Sequence, residues 1–323
     1  MNIVVGYQAS AEHVARIRAA APKSTVVVAD AATLAELLLT ADIFVGHVKT
    51  WVDWPAIVAK GKLRWIQSSA AGLDHCLAKP VKQASIFVSS ASALFADQVA
   101  EQTLALTLGL LRRIHWFVRA ETARRYERLP TDDLHGKRVA IIGFGGNGQR
   151  IAEVLKPFRV SLRAVDYFAD QEFDGVQVFP PEQLRDAIRD AELAIITLPL
   201  TEATRFLFGK SEFRAMPAGA YLINVGRGEV VREADLVAAL NSEQLAGAGL
   251  DVAEVEPLPP SSALWGHPKV IISPHVGAQG KMRNDRVTEL FCLNLPRFLN
   301  GQPLINQVEK ELGFPRPENR FSG

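Results

Sequence analysis

Cysteine is nearly absent: 323 residues contain two, Cys76 and Cys292. They form no C-x-x-C and share no histidine cluster at metal-ligand spacing, which argues against structural zinc and for a reducing compartment. Charge of one sign is missing too, since 36 basic against 35 acidic side chains leave a formal net charge of +1. No global field therefore recruits nucleic acid, a membrane surface or an acidic macromolecule, and a small anionic ligand needs a local site. No run of 18 uncharged apolar residues occurs, and "MNIVVGYQAS" has no basic region ahead of a long apolar stretch. The expectation is a cytoplasmic enzyme or binding protein, without a metal, a membrane or a nucleic-acid partner. Its length suffices for two domains with separate cores.

What is present is alternation. "NIVVGY", a helical pattern around His13 to Ala20, "STVVVAD", a helical pattern through Ala31 to Leu39, "DIFVGH" and "LRWIQ" follow one another in the first third. Strands alternating with helices imply parallel pairing and a sheet covered on both faces. "VAEQTLALTLGLLRRIHWFVRA" reads as one long helix, apolar on more than one side, which suits a domain or subunit junction. After the charged, turn-rich "RRYERLPTDDLHG" comes a second series: "KRVAIIGFG", a helix from about Asn147 to Phe158, "SLRAVDY", "LAIITLP", "AYLINVG", "AGAGLDV" and "KVIISPH". That block alone has strands enough for a doubly wound sheet. The last helical pattern, through Leu290 to Leu299, has no strand after it and is expected to cross back onto the first domain.

Chemistry enters at the glycines. In "VAIIGFGGNGQRIAEVL", Gly143, Gly145 and Gly148 make a G-x-G-x-x-G directly after an apolar strand and at the start of a helix. The three provide a tight turn, close approach of a pyrophosphate and close helix-to-strand packing, with the anion on the helix N-terminus. Asp166 ends the next strand, where a carboxylate can bind both ribose hydroxyls of a dinucleotide. That carboxylate opposes a 2'-phosphate, and Tyr167 rather than an arginine follows it, so NAD(H) is favoured over NADP(H); Arg163 keeps NADP(H) open.

Three later strands end in polar side chains. "INVGRGEVV" places Arg227 between two glycines, "GLDVAEVEPLP" gives Asp251 and Glu256, and "VIISPHVGAQ" gives His275. The carboxyl edge of an open α/β sheet is where such folds bind ligands. A guanidinium fork holds a carboxylate, an imidazole moves a proton, and a neighbouring carboxylate fixes the imidazole and raises its pKa. Together they suit a 2-oxo or 2-hydroxy acid beside a nicotinamide, which carries the hydride. His267, in "WGHPKV", has the same ring but reads as structural.

With "GFGGNG" and Asp166, "LPLTEATRFLF", "MPAGAYLINVGRGEVV", "AGAGLDVAEVEPLP" and "LWGHPKVIISPHVG" in this order, the chain resembles the D-isomer-specific 2-hydroxyacid dehydrogenase family over nearly its whole length. The resemblance implies two Rossmann-like α/β domains, each with a mostly parallel sheet covered by helices, and an active site in the interdomain cleft. Residues 1–98, completed by 285–323, would bind substrate, and residues 99–284 would bind NAD(H). It further implies that Arg227 binds the substrate carboxylate and polarises its carbonyl, that His275 is the general acid or base, and that Glu256 is its partner. Gly146 and Asn147 amides would meet the pyrophosphate, Asp251 and the backbone around Val225 would hold the nicotinamide carboxamide, and Leu198 would also bind the cofactor. In "IQSSAAGLDH", the N–H groups of Ala71 and Gly72 would receive the substrate carboxylate. Family members commonly form homodimers through the cofactor domain.

Two departures bear on function. "VSSASALFADQVAE" lacks the asparagine and glycine common before the family's "VAE", which leaves substrate identity open. The family's spacing from Asp251 implies Glu256 as the partner, and Glu254 reads as a solvated charge. Lys49, Trp51, Trp54, Leu94, Phe95, Met282 and Arg283 stay open between pocket lining and packing or surface. The leading expectation is an NAD-dependent enzyme interconverting a 2-oxo acid and a D-2-hydroxy acid. The alternative from another class is an NAD(H)-sensing, corepressor-like binding protein with little catalysis; a formate dehydrogenase resembles the chain less, because that branch has glutamine at the Glu256 position.

Overall fold

The structure, a computed structural model, describes residues 1–170 and 172–321. The chain forms two compact units, one from Met1–Phe95 together with the chain from Gly280 onward, the other from Ala96–Gln279.

In the first unit, β1 (Asn2–Gly6), β2 (Thr25–Val28), β3 (Ile43–Gly46), β4 (Trp65–Ser68) and β5 (Phe87–Ser89) form a parallel sheet in the order β2-β1-β3-β4-β5. β3 and β4 are buried at every residue, as a sheet covered on both faces requires. α1 (Ala11–Ala20) starts at a capping box in which Ser10 Oγ accepts the His13 N–H and His13 Nδ1 accepts the Ser10 N–H. Leu34 and Leu38 of α2 (Leu34–Leu38), Ile57 of α3 (Trp54–Lys60) and Val81 of α4 (Lys79–Gln83) share a core with Val4, Phe44, Ile66 and Val88. Trp54 is in that core, whereas Trp51 is exposed.

On Trp65, Phe291 and Phe298 of the helix Arg283–Leu299 stack at ring-centre distances of 5.0 and 5.1 Å. Polar atoms buried there are matched to one another. Trp65 Nε1 donates to Ser89 Oγ (2.8 Å), Ser89 Oγ donates to Gln67 Oε1 (2.8 Å), and Asn294 Nδ2 donates to the same oxygen (3.0 Å) while its Oδ1 accepts the Ile305 N–H (2.8 Å). A satisfied network of this kind specifies one docking position for the helix where apolar packing alone tolerates several.

The second unit begins with α5 (Ala96–Leu111) and α6 (Ile114–Thr122) and continues through β6 (Arg138–Ile142), α7 (Gly146–Leu155), β7 (Ser161–Val165), β8 (Val176–Phe179), α8 (Leu184–Ile188), β9 (Leu193–Ile196), α9 (Lys210–Ala215), β10 (Ala220–Asn224), α10 (Glu233–Asn241), β11 (Leu245–Leu250) and β12 (Val270–Ile272). All seven strands are parallel, in the order β12-β11-β10-β9-β6-β7-β8. From β6 the chain builds outward to β8, then returns to β9 on the other flank and proceeds to β12. Strand order thus reverses between β6 and β9, where open α/β sheets form their ligand crevice. Alternate residues of β6 face two cores: Ala140 and Ile142 one, Val139 and Ile141 the other with Leu106 and Leu110 of α5 and Ile151 and Leu155 of α7.

The single long helix expected from "VAEQTLALTLGLLRRIHWFVRA" is two. Arg113 adopts a left-handed conformation (φ 54°) and turns the chain between α5 and α6. The second piece is fastened elsewhere: His115 Nε2 lies 3.1 Å from the Pro268 carbonyl oxygen, and Arg119 donates to the His267 and Val270 carbonyls. Among the described residues, no helix is long and apolar enough to cross a membrane.

Candidate active site

Parallel strands deliver their C-terminal residues to one edge. In the second unit, Gly143 follows β6, Asp166 follows β7, Leu198 lies two residues beyond β9, Val225 and Arg227 follow β10, Asp251 follows β11, and His275 lies three residues beyond β12.

The glycine loop has room for an anion. Gly143 takes φ +97°, and a Cβ there would stand 2.8 Å from Thr197 Oγ1 and 3.1 Å from the Leu198 nitrogen. A Cβ on Gly148 would stand 2.2 Å from the Gly143 carbonyl oxygen, so only glycine lets α7 approach β6 this closely. At Gly145, by contrast, a Cβ would meet nothing within 4 Å. Gly145 is also the N-cap of α7 and supplies no side-chain acceptor, so the first N–H groups of the helix, at Gly146 and Asn147, have no intrahelical acceptor. A pyrophosphate fits that cradle.

Asp166 is tied to the loop. Its Oδ2 accepts the Phe144 N–H (2.6 Å) and its Oδ1 the Phe168 N–H (2.9 Å), which fixes the carboxylate at the tip of β7. Arg163 is turned elsewhere, paired with Asp190 and donating to the Asp186 carbonyl. Tyr167 is exposed.

At the other end of the row, His275 Nδ1 stands 2.8 Å from Glu256 Oε2. Glu256 is itself held, because its Oε1 accepts the Ala253 N–H (3.0 Å). Partial burial pushes the Glu256 pKa up, but the hydrogen bonds from His275 and Ala253 and the positive charge of Arg227 outweigh it and leave the carboxyl below its ordinary value. With Nδ1 engaged, Nε2 is the ring atom available to exchange a proton with a ligand. Both side chains are about two-fifths exposed, so a ligand can reach them.

His275 is placed by an unusual turn. It adopts φ 55°, and its N–H donates to the Asp251 carbonyl (2.7 Å). The Asp251 carboxylate, only 2% exposed, accepts from Ser273 Oγ (2.6 Å), Val276 N–H (3.0 Å) and Gly277 N–H (2.7 Å), with Gln102 Nε2 at 3.4 Å. These donors fill the acceptor positions of a carboxylate. Arg227 is anchored from below: buried Asn224 donates from Nδ2 to the Arg227 carbonyl (3.0 Å) and accepts the Gly226 N–H (3.1 Å), and the guanidinium Nη1 donates to the Gly226 carbonyl (2.9 Å). Val225 is buried, its N–H bonded to the Ile196 carbonyl.

Residues 104–277 match the family described as D-isomer specific 2-hydroxyacid dehydrogenase, NAD binding domain. The chain belongs to this family. It is therefore an oxidoreductase of 2-hydroxy acids with an NAD(P)-binding unit. A glyoxylate reductase of Aeropyrum pernix is 30% identical over 271 residues, 81% of this chain and 81% of that protein. A D-isomer specific 2-hydroxyacid dehydrogenase family protein of Aeromonas salmonicida superposes with a TM-score of 0.80 at 30% identity, covering 96% of this chain and 99% of the other. The NADPH-dependent glyoxylate/hydroxypyruvate reductase of Sinorhizobium meliloti, solved with NADP and sulfate, superposes with a TM-score of 0.82 at 26% identity, covering 97% and 99%.

The remaining site candidates, Ala71 and Gly72, belong to the first unit, in the loop after β4. The loop is braced by Ser68 Oγ, which accepts the Ala70 N–H (3.0 Å) and lies 2.9 Å from His75 Nε2; His75 Nδ1 accepts the Val48 N–H (3.2 Å). Glu254, expected as a solvated charge, has a different job: its Oε2 accepts the Glu233 N–H (2.6 Å) at the start of α10, where a carboxylate complements the helix dipole. His267 is structural, with Nδ1 accepting the Lys269 N–H and Nε2 beside Asn241. Sequence reasoning passed over Asn224, Gln102 and Ser273. Asn224 left one signal, a lone amide in the apolar run "AYLINVG".

Proposed function

We propose that this member of the family reduces a 2-oxo acid to a D-2-hydroxy acid with NADH, and runs the reverse reaction. The observation that carries the reading is the 2.8 Å pair of His275 Nδ1 and Glu256 Oε2 at the same sheet edge as Arg227. When bound, the nicotinamide supplies or accepts the hydride at the substrate's C2. Arg227 holds the substrate carboxylate and polarises the carbonyl, His275 Nε2 gives its proton to the carbonyl oxygen, and Glu256 stabilises the imidazolium beforehand. In the oxidative direction the neutral imidazole takes the hydroxyl proton back.

Gly143, Gly145, Gly146, Asn147 and Gly148 would hold the pyrophosphate, Asp166 the adenine ribose, and Leu198 and Val225 the nicotinamide end. Ala71 and Gly72 would offer N–H groups to the substrate carboxylate. Asp251 acts through the His275 turn. Asp166 at the tip of β7, with Arg163 committed to Asp190, supports NAD(H) over NADP(H), although the Sinorhizobium reductase is described as NADPH-dependent. The same reading includes a cytoplasmic homodimer, for which exposed Ile114 and Val118 on α6 offer apolar surface.

Steady-state oxidation of NADH and NADPH against glyoxylate, pyruvate, hydroxypyruvate, phenylpyruvate and 2-oxoglutarate tests it. Turnover with NADH that falls by about 10²-fold or more in His275→Ala is expected. Wild-type turnover in that variant with every accepted acid would remove the proton relay.

A further inference from the structure

Arg283 opens the helix Arg283–Leu299 and stands where an arginine is hard to justify by stability. A cation in the first turn opposes the helix dipole. The side chain is mostly shielded from water, and burial alone lowers its pKa, with no carboxylate contributing. Its contacts are a hydrogen bond from Nη2 to the Ser69 carbonyl (2.8 Å) and the Phe95 ring, 5.2 Å from the guanidinium carbon. Nε is buried without a partner, and so is the Oγ of Ser69, a residue only 1% exposed. A half-buried arginine and a buried hydroxyl on residues in contact, both short of hydrogen bonds, form a receptor for an anion. A desolvated cation of this kind is costly until a negative charge joins it.

The place of this pair in the chain says which anion. Ser69 lies two residues before Ala71, a reach of at most about 7 Å along the backbone, and the guanidinium is hydrogen-bonded to the Ser69 carbonyl itself, 2.8 Å away. A four- or five-carbon diacid, with a hydrogen bond at each end, bridges a gap of that order. A hydroxyl tail would leave the guanidinium charge uncompensated; a carboxylate neutralises it and matches its planar fork.

We propose that Arg283, assisted by the Ser69 hydroxyl, binds the distal carboxylate of the substrate, so that the preferred substrates are 2-oxo dicarboxylic acids, reduced by NADH and one proton to 2-hydroxy dicarboxylic acids. The inference rests on the reductase reading above.

The test is kcat/KM with NADH for oxaloacetate and 2-oxoglutarate against glyoxylate and pyruvate, in the wild type and in Arg283→Gln, Arg283→Lys and Ser69→Ala. Wild type should prefer a diacid, and Arg283→Gln should lose about 10- to 100-fold on diacids while monoacids change less than about threefold. Arg283→Lys should keep part of the preference, and Ser69→Ala, a gentler change should the glutamine variant fail to fold, should lose a smaller share of it. A wild type without diacid preference, or an equal loss on both classes in Arg283→Gln, overturns the assignment and makes Arg283 a strap for the loop. If the wild type turns over no 2-oxo acid at all, the reductase reading falls and takes this one with it; turnover of monoacids alone sinks only the role of Arg283.

Discussion

Asp251→Asn separates two uses of one carboxylate. If its task is to hold the His275 turn, the damage follows from its donors. Ser273 Oγ and Val276 N–H both address Oδ1, so an asparagine oxygen can keep them, though as a neutral acceptor of roughly half the strength. The amide nitrogen then faces the Gly277 N–H across a distance that is now 2.7 Å, donor against donor, and leaves a buried N–H unsatisfied. An orphaned group of this kind costs about 1–3 kcal/mol, and with the two weakened bonds the total is about 2–4 kcal/mol. For a unit of this size that lowers Tm by roughly 5–15 °C. Because the His275 N–H is bonded to the Asp251 carbonyl and the residue sits at φ 55°, a loosened turn moves the imidazole. A displacement of about 1 Å costs on the order of 10²-fold in rate. Thermal melting and kcat with saturating NADH read both effects. An unchanged Tm and kcat, with only KM for NADH raised, would refute the clamp and make Asp251 a cofactor contact.

Glu256→Gln removes the carboxylate that holds His275 Nδ1 and should lower kcat by about 10-fold or more; an unchanged kcat would leave Glu256 without its assigned role. The same carboxyl titrates below its ordinary value of 4.5, so its stabilising contribution is complete above that pH and is lost as pH falls through the folded-state value. The glutamine variant should therefore show a flatter stability profile on the acid side by urea melts across pH. Gly148→Ala places a methyl group against the Gly143 carbonyl and should cost about 1–3 kcal/mol while weakening NADH binding in a fluorescence titration; unchanged melting and affinity together would show that α7 has freedom the packing denies.

Much of this was legible because parallel sheets write themselves as uninterrupted apolar runs: β6, β9 and β10 stand out in "RVAII", "LAIITLP" and "AYLIN". The edge strand β8 did not, since "VQVF" is only half-buried and carries a polar residue at its second position. The break at Arg113 had no marker either. Neither glycine nor proline sits there, and the left-handed residue is an arginine whose conformation is stabilised by what α6 then reaches, the 267–270 segment more than 140 residues on. Glu254 and Glu256 show the limit at a site: both are acids in one loop, and only the fold reveals that the first caps α10 while the second faces His275. Gln102 could not be read at all, because its partners Asp251 and Ser273 are distant in sequence.

The first unit is sewn from two separated stretches of chain, and this sets an order of assembly during synthesis. While Ala96–Gln279 is being made, Trp65 lacks Phe291 and Phe298, and Gln67 lacks the amide of Asn294. The continuous unit has all seven of its strands in hand before the helix Arg283–Leu299 leaves the ribosome. That helix is consequently a late latch, and the loop that presents Ala71 and Gly72 gains its hydrogen bond from Arg283 only after the continuous unit has been made. A nascent chain would thus complete the glycine loop after β6 well before the loop after β4 is set.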